Sequence, residues 1–295
     1  MFLERDPMRY LHCSDVHITQ DYSSVPLRRM GWRRILALLE LHVGGRATDY
    51  ANAQRTLEQI VCDADLLQVD QILLTGDLTG YGTELEFHAA RVALGRRAVD
   101  RESCLVIPGN HDAFTPKAVH SGRFERTFGH LLSSDLPELC REGPYPFVYL
   151  KRPDVAIIGL LSARLAPVPG LAYGRVGPAQ LDALREILAR PELANRAVLV
   201  LVHHAPYQMA GNLDSRAHGL RDATELLHLL PGPRFALLHG HIHHRFHHPP
   251  TATRPHIFCA GSSTQRGREG YWIIDTADGR ITNAAAHVPQ LRLTR

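Results

Sequence analysis

The chain has 295 residues, of which 44% are hydrophobic and 21% charged, so it can bury a sizeable core and is not disordered throughout. The formal net charge of only +3 does not indicate a nucleic-acid-binding protein. The five cysteines form no CxxC pair, the N-terminal segment lacks the apolar core of a secretory signal, and no apolar run is long enough to span a bilayer. These features predict a cytoplasmic protein with reduced thiols.

Short apolar runs and helical patterns alternate along the chain. Runs rich in Val, Ile and Leu predict buried strands at residues 9–13, 71–75, 104–107, 197–202 and 235–238, and later strands at 256–259 and 271–275. Apolar residues at helical spacing predict helices at 49–67, 83–94 and 177–189. Thr83 and Glu86 form a capping-box signature, and Pro178 suits the first turn of the third helix. The alternation predicts an α/β layered structure, which we interpret as a single domain over residues 1–295.

Polar clusters follow five of these strands, at the positions where open α/β sheets bind ligands. In chain order the clusters contain Asp15 and His17; Asp77; Asn110, His111 and Asp112; His203 and His204; and His241 and His243. On an extended segment, Asp15 and His17 would point to one side and reach one cation. Each cluster alone is compatible with an ordinary turn, because Asn and Asp favour turns. The combination of five clusters with metal-competent side chains favours a metal site.

The donor types restrict the metal. Carboxylate, amide and imidazole donors suit Mn, Fe, Zn or Co better than a thiolate-preferring metal. Seven donors exceed the needs of one ion, whereas two ions that share Asp77 would each have about four protein ligands. The chain has 19 histidines, and four more of them crowd the last cluster: His239, His244, His247 and His248. We interpret these four as a solvated rim, with an accessory metal site as the alternative.

The ordered set of motifs resembles the calcineurin-like metallophosphoesterase superfamily. The motifs are Asp15-x-His17, Gly76-Asp77, Gly109-Asn110-His111-Asp112, His203-His204 and Gly240-His241-Ile242-His243, with Ile242 where the family often has threonine. The resemblance implies a four-layer α/β/β/α sandwich. It implies that one metal takes Asp15, His17, His243 and bridging Asp77, and that the other takes Asp77, Asn110, His203 and His241. Because the family ligand is usually the first histidine of the pair, we predict His203, with His204 as the alternative.

The resemblance also implies a reaction, the hydrolysis of a phosphodiester or pyrophosphate bond in an anionic substrate with two divalent ions (Mn, Fe or Zn). A hydroxide bridging the ions would attack phosphorus in line, since coordination lowers the pKa of water towards about 7. His111 would steady the developing charge or protonate the leaving oxygen, and Asp112 would orient His111. A non-catalytic interaction module on the same fold is an alternative of another class, and the filled ligand positions argue against it.

Residues 25–48 predict a small helical insertion within a cap at 21–48. Four arginines stand near Trp32 and precede an apolar stretch, which favours a cap helix packed on the protein with its arginines in water. The alternative prediction is that residues 27–43 contact the inner membrane surface. The insertion is similar to a branch of the superfamily that cleaves UDP-2,3-diacylglucosamine at its pyrophosphate, which makes this lipid-linked sugar the predicted substrate. The cyclic-nucleotide phosphodiesterase branch shares all the metal motifs and is the main alternative.

Overall fold

Two mixed β-sheets lie at the centre of the computed structural model, which describes residues 7–20, 46–165 and 171–290. In chain order the strands are β1 (Met8–Cys13), β2 (Gln71–Leu74), β3 (Cys104–Val106), β4 (Phe147–Arg152), β5 (Val155–Gly159), β6 (Ala197–Leu201), β7 (Phe235–His239), β8 (Arg245–His248), β9 (His256–Ala260), β10 (Tyr271–Ala277) and β11 (Arg280–His287). The α-helices are α1 (Arg46–Asp49), α2 (Ala53–Leu66), α3 (Glu84–Leu94), α4 (Pro116–His120), α5 (Arg123–Phe128), α6 (Pro178–Leu188) and α7 (Ala223–His228). Short 3-10 helices span Gly95–Ala98, Gly129–Leu131, Pro137–Leu139 and Pro191–Leu193.

The two sheets have parallel strands in their interiors. The first sheet has the order β11-β10-β1-β2-β3, in which β1, β2 and β3 are parallel and β10 and β11 are antiparallel additions. The second sheet has the order β4-β5-β6-β7-β9-β8, in which β5, β6, β7 and β9 are parallel and the two edge strands are antiparallel. Parallel strands present their carboxyl ends at the same edge, so the loops that follow them are brought together.

The side chains of β6 alternate between two cores. Leu199 and Leu201 belong to a core that also contains buried residues of the first sheet, so the two sheets pack face to face. Val198 and Val200 belong to a second core with the apolar faces of α6 and α7. The first sheet is covered by the buried faces of α2 and α3. The layers are therefore helix, sheet, sheet and helix, which confirms the predicted α/β/β/α sandwich.

Local signals in the sequence place the elements well. All seven predicted strands are present, with ends within two residues of those predicted. The capping box forms between Thr83 and Glu86, and Pro178 begins α6. The helix predicted at 49–67 begins instead at Ala53. The reason is a turn between α1 and α2, in which the Ala53 N–H donates to the Tyr50 carbonyl at 3.0 Å.

Most of the predicted insertion lies outside the described residues. Residues 21–45 are not described, and they include all of the segment 27–43 for which membrane contact is predicted. Within the predicted cap at 21–48, the described part belongs to α1. In the part of the chain that the structure describes, no helix has the length and apolar character needed to cross a membrane.

Candidate metal centre

The five polar clusters meet at one edge of the two sheets, in the loops after β1, β2, β3, β6 and β7. Within the first sheet, the Asp15 N–H donates to the Gly76 carbonyl at 3.0 Å, and within the second, the Gly240 N–H donates to the His203 carbonyl at 3.1 Å. One contact joins the sheets directly, because the His241 N–H donates to Asp15 Oδ2 at 2.8 Å. The fold thus brings residues from distant parts of the chain to one place.

Five of the predicted ligands have left-handed backbone conformations. Their φ angles are 51° at Asp15, 50° at His17, 53° at Asp77, 74° at His241 and 59° at His243. Such conformations cost on the order of 1–3 kcal/mol each in a residue with a side chain and are concentrated at functional sites. The prediction that an extended segment points Asp15 and His17 to one side is wrong, because both residues have left-handed backbone conformations. A left-handed turn at each residue places His17 Nε2 3.7 Å from Asp15 Oδ1.

Two motif glycines allow the loops to approach each other closely. A Cβ atom at Gly109 would overlap with the Asp77 carboxylate, and one at Gly240 would overlap with Ser14 and the Asp15 carboxylate. Any larger residue would therefore push the first and second clusters away from their neighbours. The glycines in these two motifs are explained by packing around the carboxylates.

One group of donors surrounds Asp15. His243 Nε2 lies 3.1 Å from Asp15 Oδ1 and 3.1 Å from His17 Nε2. His17 Nε2 lies 3.8 Å from Asp77 Oδ2, so Asp77 is at the border of this group. Asp15, His17 and Asp77 are buried, and His243 is half-buried. These are the four residues predicted for one metal, and their role as its ligands stays a prediction.

A second group surrounds Asn110. His203 Nε2 and His241 Nδ1 each lie 3.1 Å from Asn110 Oδ1. His203 Nε2 also lies 3.4 Å from Asp77 Oδ2. Asp77 Oδ2 is thus within 4 Å of a histidine nitrogen from each group, which is the position that a bridging ligand requires. The assignment of this second group to the other metal likewise stays a prediction.

Backbone carbonyls orient the two imidazoles of the second group. His203 Nδ1 lies 2.7 Å from the Thr75 carbonyl, and His241 Nε2 lies 3.0 Å from the His218 carbonyl. A carbonyl only accepts, so these ring nitrogens carry the proton, and in a neutral ring the opposite nitrogen has only a lone pair. Burial holds the pKa of His241 well below its usual range, so its ring is neutral and its Nδ1 lone pair faces the oxygen of Asn110, which is itself an acceptor. Acceptors that converge without a proton between them fit a bound cation.

The carboxylates give the centre a negative charge. Burial alone would raise the pKa of Asp15. The contact with His243 outweighs burial and lowers the pKa to about 2. Burial also raises the pKa of Asp77, yet the neighbouring His203 and His111 hold it well below its usual range. Burial lowers the pKa of His203, but the Asp77 carboxylate raises it to about 9. Both carboxylates are therefore ionised at neutral pH, and the surroundings favour positive charge beside them.

His111 lies beside Asp77 at the wall of the centre. Its backbone N–H donates to Asp77 Oδ1 at 2.7 Å, and its ring Nδ1 lies 2.8 Å from the Gly80 carbonyl. The ring stacks on Phe114 with centroids 5.7 Å apart. A ring nitrogen of His111 lies within 4.8 Å of donor atoms of His17 and Asp77, so it is close enough to contact a group bound between them.

The Asp112 carboxylate holds two loops together. It accepts from the backbone N–H groups of Leu78, Thr79 and Gly109 at 3.2, 3.1 and 3.0 Å. Burial and the nearby charge of Asp77 raise the pKa of Asp112 to about 7. These bonds fix the backbone from which His111 projects. The predicted role of Asp112 in orienting the His111 ring stays a prediction.

The adjacent histidines His203 and His204 have different surroundings. His203 Nε2 faces Asp77 and Asn110, as described above. His204 Nδ1 lies 2.9 Å from Ser162 Oγ, and the ring of His204 is fully buried. His204 also belongs to a group with His203 and His241 whose donor atoms lie within 4.8 Å of one another. The geometry favours His203 as the metal ligand. His204 is close enough to the same donor atoms that the choice between the two histidines needs an experiment.

The sequence interpretation assigned no role to Tyr50 or Ser262. Tyr50 Oη lies 3.2 Å from His243 Nδ1 and 3.0 Å from Ser262 Oγ. Ser262 Oγ in turn donates to the Asp15 carbonyl at 2.8 Å. These contacts orient His243 and support the loop of Asp15 from the turn after β9. No motif marks Tyr50, whereas the polar run after the predicted strand at 256–259 was a usable signal.

The donor groups open into a cavity of about 490 Å³. Five candidate site residues line it: Asp77, Asn110, His111, His241 and His243. Further lining residues are Asp49, Tyr50, Ala172, His218, Ile242, Gln265 and Arg268. The volume lies within the range of small-molecule sites, roughly 300–1,000 Å³.

Sequence comparison connects the chain to known proteins. Residues 8–245 match the sequence model of a family described as calcineurin-like phosphoesterase. A protein of Rhodococcus erythropolis named probable cyclic nucleotide phosphodiesterase is 29% identical over 243 residues. That alignment covers 77% of this chain and 72% of the Rhodococcus protein.

Solved structures of similar fold include two phosphatases. A dimetal phosphatase from Danio rerio has a TM-score of 0.61 at 13% identity, and the match covers 97% of this chain and 100% of that one. A purple acid phosphatase, PPD1 from yellow lupin (Lupinus luteus) seeds, has a TM-score of 0.55 at 12% identity, covering 95% of this chain and 53% of that one. At such identities the likeness concerns the fold.

Proposed function

This chain belongs to the calcineurin-like phosphoesterase family and is a metal-dependent phosphoester hydrolase, and we propose that it cleaves phosphodiester bonds, with 3′,5′-cyclic nucleotides as the substrate class. The observation that carries the proposal is the pair of donor groups that share Asp77 beside one cavity. Two ions held in such groups can clamp a phosphoryl group between them.

We assign the donors to two divalent ions as the resemblance implies. One ion takes Asp15, His17, His243 and Asp77, and the other takes Asp77, Asn110, His203 and His241. When bound, the ions supply Lewis acidity and lower the pKa of water towards about 7. Oxygen and imidazole donors of this kind accept Mn, Fe or Zn.

The residues of the chain supply orientation. The carbonyls that hold His203 and His241 fix the direction of their lone pairs, so the donors need not rearrange when the site is loaded. His111 Nδ1 is committed to the Gly80 carbonyl. Nε2 is therefore the nitrogen with which His111, as the doubly protonated imidazolium, would steady charge on the phosphoryl oxygens or give its proton to the leaving oxygen.

Two observations support a diester of nucleotide size. The cavity of about 490 Å³ has room for a phosphoryl group and an attached sugar. Gln265 and Arg268 at its edge offer hydrogen-bond donors and positive charge to such a substrate. The name of the Rhodococcus relative points to the same substrate class.

Hydrolysis of UDP-2,3-diacylglucosamine stays a prediction. It depends on residues 27–43 as a membrane contact, and these residues lie outside the described part of the chain. The proposed peripheral position at the inner membrane surface depends on the same segment.

A substrate panel tests the proposal. Mn-loaded protein would be given bis-p-nitrophenyl phosphate, p-nitrophenyl phosphate, cyclic AMP and UDP-2,3-diacylglucosamine, with the Asp77→Asn variant as the control for contaminating activity. We expect cleavage of both diesters and slower cleavage of the monoester. Preference for p-nitrophenyl phosphate would contradict the diester proposal, and turnover of the lipid substrate alone would replace cyclic nucleotides with the lipid-linked sugar.

A further inference from the structure

A second cavity, of about 310 Å³, adjoins the metal centre. His218 and Ile242 line both this cavity and the one at the metal centre. The second cavity is also lined by Met209 and Ala210, and by the polar residues Gln208, Asp214 and His244. A substrate with its phosphorus at the donor groups therefore has the second cavity beside it, next to the same two side chains. Another part of the substrate can extend into that cavity.

The side chains around the second cavity suit an apolar, flat ligand. Met209 is 57% exposed, so its thioether is accessible to a ligand in the cavity. A thioether packs favourably against an aromatic ring, and methionine adapts its shape to the ligand. Ile242 adds a branched apolar surface from the position between His241 and His243, the two predicted ligands of the Gly-His-x-His motif.

A network of hydrogen bonds holds His218 between the two cavities. Asp214 Oδ2 lies 2.7 Å from His218 Nδ1, and Asp214 Oδ1 accepts from the Ser215 N–H at 2.7 Å and from Gln208 Nε2 at 3.2 Å. The Asp214 side chain is 3% exposed. The His218 side chain is 45% exposed, and its ring packs at an angle of 35° against His241 with centroids 4.1 Å apart. These contacts hold the ring in place where the two cavities meet.

We propose that Met209, Ile242 and His218 form a subsite for a planar aromatic group of the substrate, such as the nucleobase that a nucleotide carries on its sugar; this inference rests on the proposed function. The cavity of about 310 Å³ is at the lower end of ligand cavities, roughly 300–1,000 Å³, and its size suits one ring system. The apolar lining and the flanking imidazole both favour contact with an aromatic face.

Ligand binding tests the subsite without turnover. Calorimetric titration of the Mn-loaded protein would compare adenosine 5′-monophosphate with ribose 5-phosphate, two compounds that differ only in the base. We expect the nucleotide to bind about tenfold more tightly, as one well-packed aromatic group would give. Met209→Ala should reduce this ratio and leave the affinity for ribose 5-phosphate unchanged. Ile242→Ala should also reduce the ratio, and because Ile242 lines the metal-centre cavity as well, only the ratio is read from this variant. Leu213→Ala is the matched control, because Leu213 is 55% exposed in the same loop and does not line the cavity.

The outcomes separate the subsite from the proposed function. Equal affinity of the wild-type protein for the two compounds, or a ratio that survives both substitutions, would overturn the subsite while phosphate binding remained intact. Tighter binding of octyl phosphate than of the nucleotide, lost in Met209→Ala, would overturn the aromatic assignment in favour of an acyl group. If neither sugar phosphate bound, the proposed function itself would fail, and the subsite with it.

Discussion

The two sheets contribute unequal halves of the candidate metal centre. Loops of the first sheet supply Asp15, His17, Asp77 and Asn110, whereas loops of the second sheet supply only imidazoles, from His203, His241 and His243. The first half carries the negative charge that attracts cations. The second half is neutral in charge when loaded, and backbone carbonyls set the direction of two of its three rings. Charge and orientation are thus divided between the sheets, and removal of a donor from each half should have different consequences.

The largest effect is expected from the first half, at the shared carboxylate. Asp77→Asn should lower turnover by on the order of 10⁴-fold, because both ions lose a charged donor and each contributes several kcal/mol to transition-state stabilisation. The metal content, measured by mass spectrometry of the dialysed protein, should fall together with the hydrolysis of bis-p-nitrophenyl phosphate.

Asp70→Asn provides a control with the same change of charge. Asp70 is exposed just before β2, and its carboxylate accepts from the Arg9 N–H at 2.7 Å, so it lies at the end of β2 opposite to Asp77. This variant should keep its metal and its activity. Retention of both ions by Asp77→Asn at full turnover would show that the carboxylate does not bridge.

A smaller effect is expected in the second half, where the adjacent histidines form a matched pair. His203→Ala should lose one of the two ions and about 10³-fold in turnover, because a neutral donor of one ion is removed. His204→Ala should keep both ions, since the His204 ring is hydrogen-bonded to Ser162. Metal content per folded protein is the measurement, with thermal melts to exclude unfolding. The reverse pattern would assign the ligand to His204.

His111 belongs to neither half and separates metal binding from chemistry. His111→Ala should lower turnover by about 10²-fold, at the lower end of the range for general acid–base groups, and should leave metal content unchanged. The His111 backbone N–H that donates to Asp77 is retained in alanine, so the bridge should persist. Loss of an ion from this variant would make His111 a metal ligand instead.

Much of the fold was predictable because its signals are local. Strand β6 of the second sheet is a short run of Val, Leu and Ala, and the capping box at Thr83 marks the start of α3 directly. The start of α2 was placed four residues too early, since the turn at Tyr50 depends on tertiary contacts of that ring. The cap at 21–48 lies mostly outside the described residues, so its prediction stays untested.

The site was predictable in its members but not in its geometry. Carboxylates and histidines after strand ends are visible in a sequence, whereas the left-handed φ angles of Asp15 and His17 are imposed by the packing of neighbouring loops. Tyr50 contacts His243, which is far away in the chain. Asp214 contacts His218 within a loop that carries no motif. Supporting residues of this kind have no spacing rule, and only the folded structure identifies them.

The second sheet also has histidines that are not predicted metal ligands, in β8 and β9. His247 stacks on Phe258 with centroids 4.1 Å apart, and its Nε2 lies 3.1 Å from His256 Nδ1. Burial, and then the charges of His256 and His248, lower the pKa of His247 to about 4, against about 6.5 in an unfolded chain. Between these values the unfolded state binds a proton that the folded state does not. Stability should therefore decrease as the pH falls from about 6.5 to about 4, and be unaffected by this group above that window.

This smallest effect is measurable as a difference between variants. His247→Gln removes the titrating ring, so its melting temperature should fall less between pH 7 and pH 5 than that of the wild-type protein, although it is lower throughout because the stack is lost. His88→Gln, at an exposed position of α3, is the control and should follow the wild-type profile. Metal ligands titrate equally in all three proteins and cancel in the comparison. Parallel profiles for His247→Gln and wild type would mean that the burial of His247 does not exclude its proton, and that His247 makes no contribution to the response of the protein to acid.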